Sequence, residues 1–376
     1  MLKQKVTHFF LLNDERSNPF SGAENHLWEL LKGLSLVCNV ELLLGVGEVG
    51  PVIKRKIAEL KAEGVQVSII NKSDISHSKF KYIRIFQEFL AYYKEFKIRK
   101  DCILHLHLNT NFIPLAAIIA GHNNIFYSFH NDEPYFTNWN SKLLLKYFVK
   151  KFRHVIAITN HVKKHLVENV GLPEDKISVV HYGINPPIIK NIDELKIPEL
   201  GGIIKLCFVG RLTEQKNLFF FFDCIKKLPL VSLVLFGDGP EKDELITYAS
   251  KLGIADRIYF YGYLDEASSY IKKFDFLCLP SKWEGLGLVL VEAMYQKVPI
   301  IGSDAGAIPE ILRYGELGTV ISYSNNDRSI LLMQELFTNI KLAKQKAIKA
   351  FEYAESNYTV AQMVNKTVKL YSLWAR

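Results

Sequence analysis

The chain lacks paired cysteines. Its five (Cys38, Cys102, Cys207, Cys224 and Cys278) lie far apart, with no C-x-x-C pair and no metal-ligand spacing. The odd number leaves one over from any disulfide set. That argues against a disulfide scaffold or a zinc module and predicts reduced thiols in a cytoplasmic protein. A run of about 20 apolar residues is also missing, so no membrane span is expected. The opening MLKQKVTHFFLLNDER places lysines before an apolar run. That run is too short for a signal peptide and has no small-residue cleavage site, so it reads as a first buried strand. Internal repeats, low-complexity tracts and coiled-coil heptads are absent. Acidic residues are scarce in the first half only: residues 1–184 carry 24 Lys/Arg against 17 Asp/Glu, and residues 185–376 carry 23 against 22. The surplus is either a solubilising surface or a face that meets something anionic, such as a membrane or a phosphorylated acceptor.

What is present is length and alternation. The 376 residues, 49% of them hydrophobic, exceed what one core usually holds and predict two domains. Apolar runs recur at 4–11, 38–44, 65–70, 102–107, 124–129, 154–159 and 177–181, then at 203–209, 231–236, 257–261, 274–279, 298–301 and 318–322. Most are continuous rather than alternating, which suits parallel strands covered on both faces. Helical stretches separate them. The expectation is α/β, with two doubly wound parallel sheets facing each other across a cleft. The boundaries expected are a domain over 1–184, a Pro-rich linker over 185–202, a second domain over 203–358, and a helix over 359–376 packing back on the first domain. Ligands of such sheets bind beyond the carboxyl ends of strands.

Three segments after strands of the second half carry chemistry. In CFVGRLTEQKN, Gly210 permits a tight exit, and Arg211 and Lys216 offer a planar donor fork and a point charge suited to a diphosphate. In LPSKWEGLGLVLVEAM, Gly285 and Gly287 disfavour helix, so a helix should start near Leu288. Glu284 then lies on the loop and Glu292 in the early helix. Backbone N–H groups of Gly285, Leu286, Gly287 and Leu288 would form an anion site at the helix end. Glu292 suits a pair of hydroxyls. GSDAGAIPEIL offers small residues before Pro309 and Glu310. Taken singly, these could be a solvated loop, two coincident glutamates and an ordinary turn.

In this order, after successive strands, they resemble the retaining glycosyltransferases of GT-B architecture, family four (group 1), with their G-R-x(4)-K loop, E-x(7)-E segment and G-G-x-P-E-like turn. FSGAENHLWELLKGL (20–34), ILHLHL (103–108), FYSFHNDEP (126–134), VIAITNHVKKHL (155–166) and ISVVHYGIN (177–185) are similar to the family's first half. The resemblance implies two Rossmann-like domains and an enzyme moving a sugar from a nucleoside-diphosphate sugar, UDP by default, to a glycan or lipid-linked acceptor. It places such an enzyme in cell-surface polysaccharide or lipopolysaccharide synthesis. It implies that Arg211 and Lys216 hold the diphosphate with help from the Gly22 loop, that Glu292 takes the ribose, and that Glu284 and His130 lie at the transferred sugar. Tyr263 and Leu264 in GYLDE (262–266) would face the base. No D-x-D triplet, the metal handle of the other large transferase fold, exists in the chain. No metal and no cofactor beyond the donor are therefore expected. The departures are Ser21 and Ala307 for glycines and Asn185 for an aspartate.

Rival readings remain. A sugar-nucleotide epimerase shares the architecture, and a donor-binding module without turnover shares the pocket. GVGEVG (45–50) fits G-x-G-x-x-G, so a nicotinamide-dependent oxidoreductase is a third, although the motif follows the second strand rather than the first. His105 and His107 of HLH are taken to face opposite sides of a strand, unable to share a metal. Asp132 and Glu133 are either surface carboxylates or a nucleophile and base. The FFFF run at 219–222 reads as helix core. SKLLLKYFVKKFRH (141–154) is either a surface helix or a basic amphipathic helix on an anionic membrane, which would make the protein peripheral at the inner face. Nucleic acid is not an expected partner.

Overall fold

The computed structural model describes residues 4–12, 22–47, 49–71, 75, 80–107, 112–131, 139–189, 195 and 197–374. Ser21, Asp132 and Glu133 lie outside the described residues. The chain divides into two compact units: residues 1–183 with 360–376, and residues 184–359.

The first unit is built on seven strands: β1 (Val6–Leu11), β2 (Val40–Val46), β3 (Gln66–Asn71), β4 (Ile103–His107), β5 (Ile125–Phe129), β6 (His154–Ala157) and β7 (Ile177–Val179). Their order is β3-β2-β1-β4-β5-β6-β7. The second has six: β8 (Ile204–Val209), β9 (Val231–Phe236), β10 (Ile258–Gly262), β11 (Phe276–Leu279), β12 (Ile300–Ser303) and β13 (Thr319–Ile321). Their order is β10-β9-β8-β11-β12-β13. The β1–β4 and β8–β11 pairs are parallel, like the ladders flanking them. Every apolar run read from the sequence is a strand in the structure, shifted by a residue or two at its ends. The reason is burial. β2, β4, β5, β9 and β11 are covered along their whole length, so residues on both faces are mostly apolar, with Glu41, His105, His107, Ser128 and Ser232 the buried polar exceptions. β3, an edge strand, is exposed or half-buried except at Ile70.

The strand order reverses direction between β1 and β4 and again between β8 and β11. Such a switch point leaves a crevice at the carboxyl ends of the two central strands. GVGEVG does not sit there. Gly45 is inside β2, and the helix that follows begins at Pro51.

The last helix, Val360–Trp374, packs on the helix Gly22–Ser35 of the first unit. Residues 184 and 359 are bridged, and the Ile184 N–H donates to the Tyr358 carbonyl at 2.9 Å. The FFFF run lies in the helix Leu218–Lys226, where Phe221 and Phe222 are buried and Phe219 and Phe220 half-buried. All five cysteines are free. Among the described residues no helix is long and apolar enough to cross a membrane.

Candidate active site

In the second unit Arg211, Lys216 and Glu284 lie on the loops after β8 and β11, the two strands at the switch point. β8 ends at Val209, and Gly210 leads to Arg211, whose side chain is exposed. Among the described residues no ion pair holds Arg211. The loop turns through a 3-10 segment, Glu214–Lys216, before the helix at Leu218. β11 ends at Leu279, and the loop after it carries Glu284 back toward the first loop. Lys216 Nζ lies 2.7 Å from Glu284 Oε2, with the side chains 14% and 12% exposed. Ser281 Oγ donates to the same oxygen at 3.2 Å. The two loops are laced further: the Lys282 N–H donates to the Gln215 carbonyl at 2.8 Å, and Gln215 Nε2 donates to the Trp283 carbonyl at 3.0 Å. The two charged residues read as separate tools are thus one ion pair, with Arg211 beside it on the same loop as Lys216.

The helix starts where the glycines direct. Gly287 caps it at φ 78°, and it runs Leu288–Tyr295. Glu292 is half-buried in this helix. Burial pushes its carboxyl up to about 7, opposed by a hydrogen bond from Ser268. Tyr263 and Leu264 follow β10, and Tyr263 is 55% exposed.

The small residues of GSDAGAIPEIL have a structural task. A Cβ on Gly306 would lie 2.4 Å from the Glu284 backbone nitrogen and 2.5 Å from its carbonyl oxygen. The Ala307 N–H donates to that carbonyl at 2.9 Å. This turn therefore rests directly on the backbone of Glu284 and fixes where its side chain starts. FGDGP (236–240) does the same for the other loop and was not singled out from sequence. A Cβ on Gly237 would lie 1.8 Å from the Gly210 carbonyl oxygen. The Leu212 N–H donates to the Asp238 carbonyl at 2.9 Å. Its signal was legible: two glycines around an aspartate directly after a strand.

In the first unit Gly22 begins the helix Gly22–Ser35 and is exposed. His130 follows β5 and is only 4% exposed. Both its ring nitrogens are engaged, Nδ1 with the Tyr182 hydroxyl and Nε2 with His107 Nδ1 at 3.3 Å. Burial draws its pKa down to about 3. His130 is thus neutral and held from inside the unit. The expectation for HLH is corrected. Residues two apart on a strand share a face, and the His105 and His107 rings lie 4.1 Å apart between centroids. With His8 on the neighbouring strand they bring one ring nitrogen each within 4.8 Å of one another, an arrangement that could hold a metal ion.

The helix expected over 141–154 spans Trp139–Lys151. Leu145, Phe148 and Val149 are core, and Lys142 donates to the Asn169 carbonyl at 2.8 Å. Leu143, Leu144, Tyr147, Lys150 and Lys151 remain exposed. A larger apolar stripe lies elsewhere, on the helix Lys81–Ile98, where Tyr82, Ile83, Phe86 and Leu90 are exposed.

Two parallel sheets of this order have the GT-B architecture. Residues 192–352 match the family described as glycosyl transferases group 1, and residues 20–187 match Glycosyltransferase Family 4. The chain belongs to this group 1, family 4 type of glycosyltransferase. It is 24% identical over 303 residues to an uncharacterised 41.2 kDa protein in the cps region of Klebsiella pneumoniae, covering 75% of this chain and 82% of that one. It is 25% identical over 161 residues to the lipopolysaccharide core biosynthesis glycosyltransferase LpsE of Rhizobium meliloti, covering 43% and 47%. Other curated relatives are matched over about half their length. Among solved structures, Anabaena Alr3699/HepE, in complex with UDP and glucose, has the same fold, with a TM-score of 0.79 at 18% identity over 98% of this chain and 99% of that one.

Proposed function

We propose that the protein moves a sugar from a nucleoside-diphosphate sugar, UDP in the first instance, to a glycan or lipid-linked acceptor in cell-surface polysaccharide or lipopolysaccharide synthesis. The Lys216–Glu284 pair beside Arg211 carries this reading, since it sets two cations and a carboxylate where a diphosphate and its sugar would meet. The relative named for lipopolysaccharide core biosynthesis supports the acceptor class, and the neighbour holding UDP and glucose supports the donor class. In the proposed step the bond from the anomeric carbon to the diphosphate breaks, and Arg211 and Lys216 take up the charge of the leaving group. The acceptor oxygen bonds to that carbon from the same face, with retention. Its proton passes to the departing diphosphate oxygen. His130 can reach a substrate only by giving up one of its internal partners.

The test is a panel of UDP-, GDP- and ADP-sugars with lipid-linked and soluble glycan acceptors. Product with sugar joined to acceptor supports the proposal. Release of UDP with an altered free sugar and no acceptor would make the protein an epimerase. Since no D-x-D triplet is present and cationic side chains serve the diphosphate, activity is expected to survive EDTA. A complete loss restored by Mg²⁺ or Mn²⁺ would refute metal independence.

Glu292 gives a pH-resolved prediction. The ionised carboxylate accepts from both ribose hydroxyls more strongly than the protonated acid, which has one accepting oxygen, so nucleotide binding should favour loss of the proton near pH 7. Affinity should weaken below pH 7, by at most about tenfold per unit. Glu292→Ala should weaken it about 10- to 150-fold, the value of losing hydrogen bonds to a charged group, and remove the carboxyl's part of the pH dependence, leaving that of the UDP terminal phosphate, which titrates at about pH 6. Calorimetric titration with UDP in two buffers reads both. Unchanged affinity in the folded variant would remove Glu292 from the ribose.

Membrane contact is proposed through the basic first unit. Each lysine near an anionic surface adds about 1 kcal/mol, and exposed apolar side chains insert among headgroups. Sedimentation with anionic vesicles at low salt is expected, and loss of it in high salt, in Lys150→Glu/Lys151→Glu and in Phe86→Ser. Equal failure with anionic and neutral vesicles would favour a soluble acceptor.

A further inference from the structure

The buried histidines of the first unit form one unbroken chain of hydrogen bonds. Tyr182 meets His130 Nδ1, and His130 Nε2 meets His107 Nδ1 at 3.3 Å. His107 Nε2 meets His8 Nδ1 at 2.9 Å, and His8 Nε2 meets the Tyr371 hydroxyl at 3.3 Å. Tyr371 meets His105 Nδ1 at 2.6 Å, and His105 Nε2 meets Ser128 Oγ at 2.7 Å. All seven residues are at most 5% exposed.

A neutral imidazole has one N–H and one lone pair. Each ring here uses both nitrogens, so each passes the direction of donation to the next. Three arrangements satisfy every link: all four histidines protonated on Nε2, all four on Nδ1, or Tyr371 accepting from both neighbours, with His105 on Nδ1 and the other three on Nε2. Tyr371 chooses between them. Its hydroxyl has one proton and two imidazole partners. O–H donors make shorter bonds than N–H donors. The bond to His105 is the shorter by 0.7 Å, 2.6 against 3.3 Å. Tyr371 therefore donates to His105 and accepts from His8, which selects the Nε2–H set. The closed chain leaves no ring lone pair for an ion. A metal at His8, His105 and His107 would need three lone pairs turned inward and would break at least two links.

We propose that Tyr371, on the last helix, is a positioning residue for His130. Acting through His8 and His107, it holds His130 as the Nε2–H tautomer, with Nδ1 accepting from Tyr182. The consequence for sugar transfer rests on His130 being a site residue, but the tautomer itself does not. The geometry ties a side chain 241 positions later in the chain to the electronic state of a strand-end histidine.

The test needs no substrate. Full-length protein labelled with ¹⁵N in histidine is examined at pH 7.5 by long-range ¹H–¹⁵N correlation, which distinguishes the tautomers. His8, His105, His107 and His130 are expected each as a single Nε2–H form. In Tyr371→Phe the chain is cut, and the His130 nitrogen pair should shift toward tautomeric averaging although its ring is two links beyond His8. In Ser128→Thr, which keeps the hydroxyl that accepts from His105 Nε2–H and so keeps Tyr371 as donor, His130 should not change. Mixed tautomers in the wild type, an unmoved His130 in Tyr371→Phe, a moved His130 in Ser128→Thr, or a stoichiometric metal with three nitrogen-bound histidines would each overturn the proposal. If Tyr371→Phe fails to fold, the wild-type pattern alone decides it.

Discussion

Lys216→Ala is expected to lower kcat/KM for the nucleotide-sugar by about 10²–10³-fold, the usual cost of removing one donor to a developing anion. The loss should fall mainly on kcat, because the charge on the leaving diphosphate is greatest in the transition state. Stability should fall too. Lys216 Nζ lies 2.7 Å from Glu284 Oε2 in a largely covered position, and removing the cation leaves the carboxylate with Ser281. Breaking such a pair costs roughly 3 kcal/mol, the lower end of the range because the site retains some solvent. The melting temperature must therefore be measured alongside the rate. A double-mutant cycle separates two roles. If Lys216 serves only to hold Glu284 in place, Lys216→Ala adds nothing once Glu284 is already Gln. If it stabilises the leaving group, the full loss persists in that background. Lys216→Arg should recover part of the rate, since it keeps the charge and changes the shape. Wild-type kcat/KM in a folded Lys216→Ala protein would refute the assignment.

The fold was legible because it rests on local burial. Strands such as VSLVLF (231–236) are covered on both faces, and a continuous apolar run is the direct trace of that. The start of the helix at Leu288 was legible because glycine at 285 and 287 opposes helix in any context. What escaped depended on contacts between distant segments. The pairing of Lys216 with Glu284 joins residues 68 apart. The histidine chain needs the parallel register that sets His8 opposite His105, and a tyrosine 266 residues beyond His105. Nothing in the local pattern around any one of them announces the others. The misplacement of His105 and His107 was of a different kind. Strand periodicity already put them on one face, and the structure restores that. The task of Gly306 was hidden for the first reason, since the backbone it accommodates is that of Glu284.

Acid should unfold the first unit before the second. Burial draws the pKa of His8 and of His130 down to about 3, and those of His26, His105 and His107 well below the ordinary value. All five belong to the first unit, and in the unfolded chain each titrates near 6.5. A histidine whose folded pKa is depressed contributes stability that is complete above the unfolded value and is lost as pH falls below it. The window is therefore from about 6.5 downward, well above the range where carboxylates protonate. At pH 5 His8 and His130 have each lost about 2 kcal/mol, about 4 kcal/mol between them. That is a large share of the 5–15 kcal/mol a domain usually has. Glu41, paired with Arg99 and Lys5 and held at about 2, adds its own loss only below about pH 4.5. In the second unit the sign is opposite. Glu292, raised to about 7, binds its proton in the folded state first, so falling pH favours that unit until the unfolded carboxylate titrates. Calorimetry from pH 8 to 5 should resolve two transitions, with the first unit's moving down steeply and the second's holding or rising. Limited proteolysis at pH 5 should cut within residues 1–183 while sparing 184–359. His8→Asn should make the first unit's pH slope shallower by up to one proton. A first transition that stays level from pH 7 to pH 5 would mean that these histidines are not buried and neutral together.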